Sequence, residues 1–102
     1  MFAGLLSRLF MTLEEFRLLT SPTKLNKALQ ALWHDAHGDW DRAHELAQEA
    51  SNPEGDWVHA YLHRKEGDEG NARYWYNRAG RVKSSQALEA EWLEIVQSLL
   101  KK

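Results

Sequence analysis

The chain repeats itself at an interval of 29 residues, and no other feature limits the fold of its 102 residues as strongly. Aligning His34-Asp35-Ala36-His37-Gly38-Asp39 with His63-Arg64-Lys65-Glu66-Gly67-Asp68 pairs His34 with His63, Gly38 with Gly67 and Asp39 with Asp68. The same offset places Ala43 on Ala72 and Ala50 on Ala79. Glycine stops a helix, aspartate caps the next one, and alanine lets two helices approach closely. Each unit therefore reads as a helix, a Gly-Asp turn and a second helix.

Apolar spacing fills in the remaining elements. Thr12 and Glu15 form a capping box, with Met11 and Phe16 placed as a hydrophobic staple, so a helix starts at about residue 13 and ends near Thr20. Ser21-Pro22 reads as a cap and first helical position for a helix reaching His37, with Leu25, Ala28, Leu29, Leu32, Trp33 and Ala36 on one face. A helix over about 40–50 buries Trp40, Ala43, Leu46, Ala47 and Ala50. Ser51-Asn52-Pro53-Glu54-Gly55 reads as a turn. Helices over about 56–66 and from Gly67-Asp68 to Ala79 follow, the first with Trp57, Val58, Ala60, Tyr61 and Leu62 on its apolar side, the second with Ala72, Trp75 and Tyr76. Ser84 or Ser85 reads as the cap of a last helix bearing Leu88, Trp92, Ile95, Val96 and Leu99. No segment sustains period-two alternation, and the expected class is all-α.

Gly-Asp-x-x-x-Ala followed by a further Ala, in GDWDRAHELAQEA and GDEGNARYWYNRA, resembles the second half of a tetratricopeptide repeat. The resemblance covers residues 22–80. It implies a right-handed superhelical stack of two αα-hairpins, with units at about 22–51 and 52–80. Two hairpins leave their outer faces open, so the helix after Thr12 and the helix over about 85–100 are expected to cap them. The run at 57–80 also resembles a segment of small bacterial proteins of unassigned function, which implies a bacterial protein and carries no activity. The expected organisation is an apolar arm or helix over 1–11 and one helical domain over 12–102, and a cytoplasmic setting is expected.

Composition removes several function classes. Thirteen basic residues against fifteen acidic ones give a net charge of -2, too little positive charge for a general nucleic-acid surface. With no cysteine, thiol chemistry, disulfides and iron–sulfur clusters are excluded. The apolar run in residues 1–10 is too short to span a bilayer, and it lacks the cleavage site of a signal peptide. Charge is unevenly placed: residues 34–56 hold one basic and seven acidic groups, and 57–83 hold six basic and three acidic. Self-association through these flanks or the apolar arm is a third expectation beside those below. No Gly-rich phosphate loop or strained nucleophile is present, so no catalytic residue and no required cofactor are assigned.

The five histidines carry the site hypothesis. At about 100° per residue, His59, His63 and Glu66 lie opposite the apolar stripe centred on Tyr61. In stacked hairpins the first helices line a concave surface, which places Gln30, His34, His37, His59, His63 and Glu66 on one groove, with His44 elsewhere. Such a groove suits a protein or peptide partner. The alternative is a divalent metal, zinc, nickel or copper, held by His34, His37, His59, His63 and Glu66, because neutral imidazole is the commonest protein ligand for such ions.

Overall fold

A computed structural model describes residues 11–102; of the arm expected over 1–11, residues 1–10 lie outside the described residues. Six helices and no strand occur among them: α1 (Leu13–Leu18), α2 (Lys27–Ala36), α3 (Trp40–Ala50), α4 (Pro53–Glu66), α5 (Glu69–Ala79) and α6 (Leu88–Leu100). No described helix is long and apolar enough to cross a membrane.

Local chemistry sets these boundaries. The capping box forms as read: Glu15 N–H donates to Thr12 Oγ1 at 3.0 Å, and Thr12 N–H donates to Glu15 Oε1 at 2.9 Å. The two Gly-Asp turns have matching geometry. Gly38 and Gly67 take φ of +82° and +91°, a region that side chains disfavour. Asp39 N–H bonds the His34 carbonyl at 2.9 Å and Asp68 N–H bonds the His63 carbonyl at 2.9 Å, which closes each helix end in the same way. Asp39 and Asp68 then cap α3 and α5 by accepting from the Arg42 and Asn71 amides. The sequence repeat is thus a repeat of turn geometry.

Three starts differ from the sequence reading. The second helix begins at Lys27: Pro22 is buried, its carbonyl closes a turn with Leu25 N–H, and Asn26 caps by accepting from Leu29 N–H. The segment 51–55 is mostly helix, because Ser51 alone takes the left-handed turn (φ 47°), Asn52 caps and Pro53 occupies the first position. Neither Ser84 nor Ser85 caps the last helix. Ala87 stands at that position without a side-chain bond, and Arg64 Nη2 holds the Gln86 carbonyl, tying the preceding segment down.

One core runs through the described helices, from Phe16 through Leu32, Leu46, Val58, Leu62 and Tyr76 to Ile95 and Val96. Helix α4 occupies its middle, packed against α2, α3, α5 and α6. It is consequently buried on almost every side: Trp57, Val58, His59, Ala60, Tyr61, Leu62 and His63 are all buried in succession. Its polar side, expected to face an open groove, is covered by α3 and α5.

Candidate functional site

Two polar constellations flank α4, on opposite faces. On the face of Trp57, Tyr61, Arg64 and Lys65 stand two buried carboxylates. Glu91 of α6, 1% exposed, accepts from Arg64 Nη1 at 2.8 Å, Tyr76 OH at 2.6 Å and Trp57 Nε1 at 3.3 Å. Asp35 of α2 accepts from Lys65 Nζ at 2.9 Å and Tyr61 OH at 3.2 Å. Burial first, then the neighbouring carboxylates, push both tyrosine hydroxyls well above their ordinary titration range. Each carboxylate oxygen has a donor, so this side is a closed, satisfied network.

The opposite face carries imidazoles. His59 and His63 are one turn apart on α4, with ring centroids 4.8 Å apart and nearly parallel planes. His44 of α3 stands across them, at 4.6 Å and 86° to His59 and at 5.1 Å and 74° to His63. The Nε2 atoms of His44 and His59 lie 2.9 Å apart. Glu66, one turn beyond His63, bonds its Nδ1 at 2.7 Å, which leaves Nε2 as the free nitrogen of that ring. Trp40 stacks on His44 at 4.9 Å, and Trp75 stacks on His59 at 3.8 Å, with Arg78 over the Trp75 ring. His59 Nδ1 is buried and, among the described residues, is the one enclosed side-chain polar atom without a hydrogen-bond partner. Such a group costs about 1–3 kcal/mol.

Electrostatics favour the neutral form of two of these rings, His44 and His59. Burial, and then the charges His44, His63 and Arg78 would place nearby, push His59 down to about 3. Burial and His63 also lower His44, against the pull of Glu66, Asp41 and Glu45. A neutral imidazole offers the lone pair that a metal ion needs.

His44, His59 and His63 form a group that can hold a metal ion, with one candidate ligand atom from each all within 4.8 Å of one another. Nitrogens about 2.0–2.1 Å from a tetrahedral zinc lie roughly 3.3 Å apart, and the His44 and His59 Nε2 atoms are already at 2.9 Å. A second grouping, His63, Glu66 and Asp68, shares His63. Glu66 is already bonded to His63, and both Asp68 oxygens bond Asn71, through its backbone and side-chain nitrogens.

The five-residue set read from the sequence divides. His59, His63 and Glu66 come together, as the helical wheel indicated. His34 and His37 join neither ligand group: both pack on Trp33, at 5.1 and 3.7 Å, and His37 Nδ1 bonds the Trp33 carbonyl. Gln30 Nε2 donates to the Leu25 carbonyl at 2.7 Å. His44, expected elsewhere, completes the cluster. A signal for it existed, since on its own helix His44 lies between Trp40 and Ala47, at the edge of the apolar stripe that faces α4.

A separate open cleft of about 660 Å³ lies between α1, α2, α4 and α6, walled by Phe16, Trp33 and Trp92 and rimmed by Arg17, Lys65 and Glu89. Among protein-family models, curated proteins and solved structures, none matches the chain.

Proposed function

We propose that this is a small helical-repeat protein that binds a divalent transition-metal ion, zinc, nickel or copper, between α3 and α4 through His44, His59 and His63. The supporting observation is the grouping of three imidazoles from two helices, with candidate ligand atoms all within 4.8 Å of one another and His63 bonded by Glu66. A carboxylate on the outer nitrogen of a ligating histidine fixes its tautomer and raises its basicity. All-nitrogen donor sets suit zinc, nickel and copper(II), and the chain has no thiolate to favour softer ions.

Within this proposal α2–α3 and α4–α5 are tetratricopeptide-like hairpins, a reading supported by their matching Gly-Asp turns. Equilibrium dialysis against zinc tests the metal function. One equivalent is expected, with affinity reduced at least about tenfold by His63→Ala or His44→Ala and unchanged by His34→Ala. Binding well below one equivalent, or binding indifferent to all three substitutions, overturns it.

The aromatic cleft supports a second reading, recognition of a protein or peptide. The original groove is a poor basis for it, since His59 and His63 are buried. Peptides selected from a random display library should lose binding with Trp33→Ala; a selection that enriches none counts against this reading.

A further inference from the structure

We infer that an ion held by His44, His59 and His63 keeps one coordination position for an exchangeable small ligand: water, hydroxide or a small anion. This position exists only if the metal reading above holds. Structural zinc sites are closed by four protein ligands, whereas sites with three keep the fourth position for water or substrate. The main group here has three members. The nearest carboxylate that could complete it, Glu66, is placed on the outer nitrogen of His63 at 2.7 Å, where it orients the ring instead of facing the ion. Asp68 is committed to capping α5.

Access is one-sided. His59 and His63 are buried, but His44 is half-buried and the Glu66 side chain is 38% exposed, so the cluster meets solvent along the His44 and Glu66 edge. Trp40 stacks on the face of His44 and Trp75 on the face of His59, so neither indole covers those rings' nitrogen edges. Three neutral imidazoles leave the full double charge on a divalent ion in a partly desolvated place. An anionic fourth ligand offsets that charge, and a bound water there is acidified.

Cobalt(II) substitution with an azide titration, read by visible absorption, tests this. Cobalt should give saturable d–d bands at one equivalent, and azide should shift them in a second saturable step. Glu66→Gln should weaken cobalt binding about ten- to a hundredfold yet retain the azide response. Cobalt bands that ignore azide overturn the inference while leaving the metal reading standing. An azide response that appears only in Glu66→Gln also overturns it, because Glu66 would then be the fourth ligand. Absence of cobalt bands defeats the metal reading and the open position together.

Discussion

Helix α4 is buried between two polar surfaces that solve the same problem differently. Toward α6 and α2, the Glu91 and Asp35 carboxylates are each matched by donors on the helix or beside it. Toward α3 and α5, three imidazoles crowd together with fewer partners than ring nitrogens, and His59 Nδ1 is left with none. A satisfied network specifies one packing arrangement; an unsatisfied one retains a cost that a fold tolerates where a ligand relieves it. Under the proposed metal reading the first face is structural and the second binds, and substitutions on the two faces should therefore differ in sign as well as size.

The largest loss is expected on the satisfied face. Glu91→Ala strands the mostly buried Arg64 guanidinium and two aromatic donors, and should cost about 3–5 kcal/mol in urea unfolding. A loss below about 1 kcal/mol would show that the network contributes little. Tyr76→Phe removes one bond to the same carboxylate and should cost about 1.5–3 kcal/mol. The pH dependence follows from the raised titration of Tyr61 and Tyr76. Their contribution is complete below the ordinary tyrosine value of 10.0 and is lost as pH rises toward the folded-state values. The urea midpoint should accordingly fall from pH 9 to 11, and less steeply in Tyr76→Phe; equal slopes would contradict this.

On the other face the sign should change. His59→Phe keeps a ring against Trp75 and removes the unpartnered Nδ1. The Nε2 bond to His44 goes with it, but half-buried His44 can bond water instead. The metal-free protein should therefore be unchanged or up to about 1 kcal/mol more stable, and zinc binding should be lost. A loss of more than about 2 kcal/mol would make the cluster a structural element like its counterpart. The smallest effect belongs to His34→Ala, expected within about 0.5 kcal/mol and without consequence for metal.

Much of this was legible in the sequence, for local reasons. Thr12 with Glu15, and the paired Gly38-Asp39 and Gly67-Asp68, are short-range signals whose bonds close within a few residues. The common face of His59, His63 and Glu66 also follows from helical spacing alone. Its burial does not. A wheel sorts residues by direction, and what stands in that direction depends on where α3 and α5 pack. For the same reason Asp35, one of seven acidic groups in its segment, reads as solvated until Lys65 and Tyr61, about thirty residues away, are seen to enclose it. His44 was separated from its partners because its ring crosses between helices. The start capped by Asn26 instead of Ser21 is not legible locally, because the burial of Pro22 is a tertiary fact.

The central claim is that three particular imidazoles act together while the other two do not. Long-range proton–nitrogen correlation spectra of the five histidine rings during a zinc titration read this directly. One ring nitrogen each of His44, His59 and His63 should shift together to metal-bound values by one equivalent, with His63 bound through Nε2 and its Nδ1 keeping the proton it donates to Glu66, while His34 and His37 stay unmoved. Five rings shifting gradually and alike, or none shifting, would contradict it.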